Sequence, residues 1–275
     1  MIHLGVRAHD YGKDDPERLF GRIHADGFES VQLAFKKAVS GVNDFRDITP
    51  EVVAKAGAAA KRNRIRIAVL GVYIEPSLVD EDARKKNMAE FIGSIPFAKA
   101  LGADCIGTET TRMETQPHAA REDALRALLR SLESAMPAAE ENGVTVAIEP
   151  VASHTMNTPE CAASVLKDIA SPNLKVIFDP VNLLTEKNLP AQDALWDRFF
   201  DLLGDKIAAV HMKGTRVVPG GTLGRCGFAD SQVNYPRIFR ALRQLPGDFS
   251  VLREEIDPEH AEEDRRFLHA LASGR

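Results

Sequence analysis

Eight short apolar runs recur along the chain: IHLGV near the start, then SVQLAF, IRIAVLGVYI, DCIGTET, VTVAIE, LKVIFD, IAAVHM and FSVLREEI. Each reads as a strand. Between them apolar residues fall at three- and four-residue spacing, as in Met88, Phe91, Ile92 and Ile95, or Leu125, Leu128, Leu129, Leu132 and Met136. That spacing places one apolar stripe along a helix. The predicted unit is strand, helix, strand. Thr49-Pro50-Glu51, Thr158-Pro159-Glu160 and Asp257-Pro258-Glu259 each supply a capping oxygen, a φ-fixed first residue and an early acid, so each predicts a helix start. Gly27, Gly102, Gly143 and Gly204 lie between helical runs and strands, where a left-handed C-terminal cap is expected.

Eight such units in 275 residues predict an α/β protein, a single (β/α)8 TIM barrel over residues 1–275. An open doubly wound sheet would more typically carry a glycine fingerprint after its first strand, and the sequence contains neither GxGxxG nor GxxxxGK[ST]. No Pro/Ser-rich linker divides the chain. The glycine-rich stretch from Gly214 to Gly227 reads as a long loop after the seventh strand.

In this fold the C-terminal strand ends build the active-site face. Four runs in the second half close on metal-binding side chains: Glu149 in VTVAIEP, Asp179 in LKVIFDP, His211 in IAAVHMK, and Glu254 or Glu255 in SVLREEI. Two or three carboxylates with one imidazole form a mostly oxygen-donor site suited to one divalent ion, Mn²⁺, Mg²⁺ or Co²⁺, with Zn²⁺ also accommodated. Any one of these residues alone would read as a helix cap or a packed polar side chain. Four on successive strands make a ring. Glu255 stands nearest the strand end.

Composition narrows the chemistry further. The chain is 44% hydrophobic and 27% charged, as expected for a globular protein, and its net charge of −5 lacks the basic bias of phosphate-driven nucleic-acid binding. A small-molecule substrate is expected, with no nucleic acid. Cys105, Cys161 and Cys226 are odd in number and lack CxxC spacing, which predicts neither a disulfide framework nor a thiolate metal site. The N-terminus has no signal-peptide pattern, and no apolar run approaches the roughly eighteen residues of a membrane span. A cytoplasmic location is the expectation.

At IEP (148–150), NTPE (157–160), FDPVN (178–182), VHMKG (210–214) and EIDP (255–258) the chain resembles the xylose isomerase-like TIM-barrel superfamily of sugar isomerases and epimerases. Its members include D-tagatose 3-epimerase, hydroxypyruvate isomerase, inosose dehydratase and endonuclease IV. The resemblance covers nearly the whole chain and favours Glu255 on the last strand. It implies that Glu149, Asp179, His211 and Glu255 hold one divalent ion, Mn²⁺ foremost. Glu149 and Glu255 would then move protons through a cis-enediolate in a sugar isomerase or epimerase. A homo-oligomer is expected by the same analogy.

Departures from that pattern shape the remaining expectations. Asn182 stands where many relatives have a histidine, which argues against a further metal there and leaves an amide to bind substrate. His154 lies in the loop where the epimerases carry a second glutamate, and is read as a substrate contact or proton carrier. Arg216, or the nearer Lys213, is read as the substrate-binding cation. Glu109, closing the fourth strand, and His9, after the first, complete the predicted pocket with Arg7, Gln32 and Lys36. The alternative reaction is metal-dependent dehydration of a keto-sugar or keto-inositol. An endonuclease IV-like repair enzyme would need additional histidines, and a non-catalytic sugar-binding barrel would not need the acid set.

Overall fold

The computed structural model describes residues 1–274. Strands β1 (Ile2–Arg7), β2 (Ser30–Leu33), β3 (Arg66–Gly71), β4 (Cys105–Glu109), β5 (Val146–Glu149), β6 (Leu174–Phe178) and β7 (Ile207–Met212) run in order around a closed parallel barrel. A hairpin of β8 (Gly214–Val217) and β9 (Leu223–Cys226) follows, and β10 (Phe249–Arg253) closes the barrel between β7 and β1. The (β/α)8 expectation holds. The glycine-rich stretch after β7, expected as a long loop, carries this antiparallel hairpin.

Around the barrel lie α1 (Pro16–Ala25), the single-turn α2 (Phe35–Ala38), α3 (Pro50–Arg62), α4 (Glu81–Leu101) and α5 (Arg121–Asn142). They are followed by α6 (Pro159–Ile169), α7 (Gln192–Leu203), α8 (Tyr235–Leu242) and α9 (Ala261–Ser273). Among the described residues, no helix is long and apolar enough to cross a membrane. Thr49 and Thr158 cap α3 and α6 through their hydroxyls, as their sequences predict. Asp257 also caps, but it opens a 3-10 turn over Pro258–His260 that leads into α9. Gly27, Gly102 and Gly143 adopt positive φ, whereas Gly204 has φ −55° and continues α7 into a 3-10 turn. Gly204 is tight for a packing reason: an added Cβ would stand 3.3 Å from Leu245 Cδ2.

Strand register decides what faces inward. Glu109 pairs with Glu149, Ile177 with Ala209, Leu252 with His211, and Val69 with Cys105. Period-two alternation then aims one side chain in two at the barrel axis. Beneath the upper rim the interior is filled by Val69, Cys105, Ala147, Ile177, Ala209 and Leu252, a cluster separate from the larger strand-to-helix core. Gly107 belongs to the same layer because nothing larger fits: an added Cβ would lie 2.7 Å from Ile177 Cδ1 and 2.9 Å from Val69 Cγ1. One step further along each strand, this apolar plug gives way to charged groups.

Candidate active site

Continuing the inward alternation past the plug brings up Glu149 from β5, Asp179 just after β6, His211 from β7 and Glu254 just after β10. All four side chains are buried. One donor atom from each of Glu149, Asp179 and His211 lies within 4.8 Å of the others, and Glu149 Oε2 is 3.0 Å from His211 Nδ1. Glu254 Oε1 approaches the same nitrogen at 3.2 Å.

Glu254, rather than the expected Glu255, therefore stands at the fourth place of the ring. Glu254 shares parity with Leu252, and Leu252 is the register partner of His211. Glu255 has φ +59°, and this left-handed step takes its side chain to Arg225, 3.0 Å away, where both line the wall of the cavity. Its backbone N–H donates to Asp10 Oδ2 at 2.7 Å, fixing the kink.

Each ring carboxylate is tethered through one oxygen and presents the other. Asp179 Oδ1 accepts from the backbone N–H groups of Val181 (2.8 Å) and Asn182 (3.1 Å), an Asx turn that the sequence DPVN favours. Glu149 Oε1 accepts from the Asn182 side-chain amide. Among the described residues Asp179 Oδ2 and both ring nitrogens of His211 have no aligned hydrogen bond, although charged neighbours stand about them. Close approach without hydrogen-bond alignment is how donors stand when they point at a shared space rather than at one another. Two carboxylates and one imidazole converging there, with Glu254 beside the imidazole, are a donor set suited to a divalent ion held mainly by oxygen.

Lys213 completes the electrostatics. Its ammonium lies 2.7 Å from Asp179 Oδ2 and donates to Glu254 Oε2 at 3.0 Å. Burial alone would lower its pKa, but Asp179, Glu254 and Glu149 outweigh that and hold it well above its ordinary value. For His211 burial is likewise outweighed by Glu254 and Glu149, which raise it to about 9. Burial would raise Glu254; His211, Lys213 and Arg7 instead hold it well below the usual carboxylate range.

Above the ring opens a cavity of about 690 Å³ whose lining includes Arg7, Lys37, Tyr73, Glu109, Arg112, His154, Asn182, Lys213, Arg225 and Glu254. His154 is buried in this wall, with Nδ1 3.7 Å from Glu109 Oε2 and, among the described residues, no hydrogen bond to either ring nitrogen. Burial lowers His154 to about 4, with Arg112 adding to the effect. Burial also raises Glu109, to about 7, reinforced by Glu149 and Glu254. Near neutral pH the pair is thus a neutral imidazole facing a carboxyl that is partly protonated.

Other expected pocket residues sit elsewhere. Arg216 projects from the hairpin, half exposed and 3.7 Å from Asp230, and is not among the cavity-lining residues. Arg225, across the hairpin, lines the cavity in its place. His9 packs edge-on against Tyr73, with ring centroids 6.2 Å apart, and does not line the cavity either. Lys36 pairs with Glu90, whereas its neighbour Lys37 lines the cavity, with Nζ 3.4 Å from the Tyr73 ring centroid. Tyr73, absent from the sequence reading, accepts from Gln32 Nε2 at 3.0 Å. The alternation Val69, Gly71, Tyr73 past the end of β3 was its available signal.

The family described as xylose isomerase-like TIM barrel matches residues 20–271, and the chain belongs to it. No curated protein has a matching sequence. Among solved structures, a D-tagatose 3-epimerase-like protein superposes with a TM-score of 0.78 at 16% identity, covering 98% of this chain and 97% of that one. An L-ribulose 3-epimerase gives 0.79 at 14% identity over 100% and 95% of the two chains. The IolI protein with a bound zinc atom gives 0.73 at 17% identity over 99% and 98%. At these identities the likeness establishes a shared fold.

Proposed function

We propose that this protein is a divalent-metal-dependent isomerase or epimerase of a sugar or sugar derivative, with Glu149 and Glu254 as its acid/base pair. The observation that carries this reading is the placement of two carboxylates on one imidazole nitrogen, at 3.0 and 3.2 Å, one of them, Glu254, also lining a polar cavity. The epimerases among its structural neighbours support it by analogy.

Glu149, Asp179, His211 and Glu254 would hold the ion, with Mn²⁺ the first candidate. When bound, it would supply Lewis acidity toward adjacent carbonyl and hydroxyl oxygens, making the intervening C–H more acidic. The chain's own residues do the rest. One glutamate removes the carbon-bound proton and the other delivers a proton back to carbon, from the opposite face in an epimerase. Asn182 orients Glu149 by donating to Oε1, leaving Oε2 available. Lys213 and Arg7 keep Glu254 ionised.

A second reading, dehydration, draws on Glu109 and His154. A partly neutral carboxyl beside an imidazole on the cavity wall is a proton source for a departing hydroxyl. One experiment separates the readings: a panel of ketoses and keto-inositols incubated with enzyme and Mn²⁺ in D₂O, followed by NMR. Deuterium entering carbon with retention of every hydroxyl is the expected result; loss of water from the substrate selects dehydration. Glu149→Gln and Glu254→Gln should each slow exchange by about 100-fold or more. Unchanged turnover in both variants sinks the mechanism.

A further inference from the structure

Lys213 is not part of the proposed donor set, yet it is the cation packed most closely into it. It follows His211 by two residues, so the same alternation that sends His211 inward also sends Lys213 inward. Only 10% of its side chain is exposed. Its ammonium contacts two ring oxygens: Asp179 Oδ2, the oxygen not taken by the backbone donors, and Glu254 Oε2.

Three carboxylates gathered in a buried ring repel one another unless cations lie among them. Lys213 supplies one such charge from within the chain. A divalent ion held by the same oxygens would compete with the ammonium for their lone pairs and repel it at short range. The lysine has somewhere to go. Its stem is flexible, and it already lines the 690 Å³ cavity into which the ammonium could withdraw.

We propose, resting on the metal-dependent reading above, that Lys213 is an exchangeable internal counter-ion: it holds Asp179 and Glu254 together, yields their oxygens to an incoming divalent ion, and swings into the substrate cavity. It is a positioning residue for the ion and sets the affinity with which the ion is taken up. Once displaced, its ammonium faces the space where negative charge would develop on a substrate oxygen.

The test is calorimetric titration of the full chain with Mn²⁺, comparing wild type with Lys213→Met and Lys213→Arg. Removing the charge while keeping the length should tighten Mn²⁺ binding about tenfold, within the range of ordinary coupling between two sites. Arginine, with a fork that grips carboxylates more firmly, should weaken it by a similar factor. In parallel, reductive methylation read by peptide mass spectrometry should modify wild-type Lys213 several-fold faster with saturating Mn²⁺ than without it. This second measurement remains decisive if Lys213→Met does not fold. Wild-type binding with no change in either variant, or methylation indifferent to Mn²⁺, overturns the exchange and leaves the metal site standing. No Mn²⁺ binding by wild type or either variant overturns the exchange together with the metal reading on which it rests.

Discussion

Glu254 and Glu255 differ by a single backbone step, and that step separates a buried ring member from the partner of an exposed arginine. Sequence alone leaves the choice open because β10 is buried on both faces: Phe249 and Val251 pack outward while Leu252 points in, so hydrophobicity carries no parity. The deciding feature on the outer face is Arg253, a buried charge made tolerable by Asp264 of α9 at 2.6 Å. That pairing depends on the phase of a helix packed against the strand. If the ring closes with Glu254, Glu254→Gln should weaken Mn²⁺ binding by about tenfold or more, the scale of losing a direct or supporting metal contact. Glu255→Gln should leave it within about twofold, since Arg225 is exposed and such pairs contribute little. Isothermal titration of the two variants decides; equal losses would return Glu255 to the ring.

The elements were more legible than the residues they carry. Strand and helix periodicities, the two threonine caps and three of the four glycine caps are local properties, written within one turn of where they act. The hairpin after β7 was not, because its glycines mark both turns and close backbone contacts: an added Cβ on Gly214 would lie 2.3 Å from Cys226 O. Its alternation is what turns Arg225 rather than Arg216 toward the cavity. At the end of α6 a residue other than glycine is itself the left-handed cap. Ala170 closes α6 at φ 53° in an exposed position, where a side chain is disfavoured by about 1–2 kcal/mol. Ala170→Gly should relieve that strain at a smaller loss in unfolded-state entropy, stabilising the fold by about 0.5–1 kcal/mol. Thermal unfolding should show a rise of roughly 2 °C; a fall would mean that the surrounding contacts favour alanine.

At the scale of the whole molecule, the floor of the site follows from a repeat that any one unit displays, while its wall requires loops from different units to meet. The loops after β4 and β5 are stitched by an isolated bridge between Arg112 and His154 and by Thr155 N–H donating to Thr111 O at 3.0 Å. That stitching buries His154, which its loop sequence could not reveal, and the burial has a consequence for the entire fold. The His154 pKa falls from 6.5 to about 4, so between those values the unfolded chain binds more protons than the native one. Its contribution to stability is intact above pH 6.5 and is lost as pH falls toward 4. Glu109 works in the opposite sense: its raised pKa of about 7 makes stability decline as pH rises from 4.5 through 7, so the two partly cancel in the wild type. The His154 contribution emerges as a difference. Relative to wild type, His154→Gln should gain about 2–3 kcal/mol on moving from pH 7 to pH 4.5. Urea unfolding at both pH values measures that gain, and parallel losses in the two proteins would mean that His154 protonates in the native state as readily as in the unfolded chain.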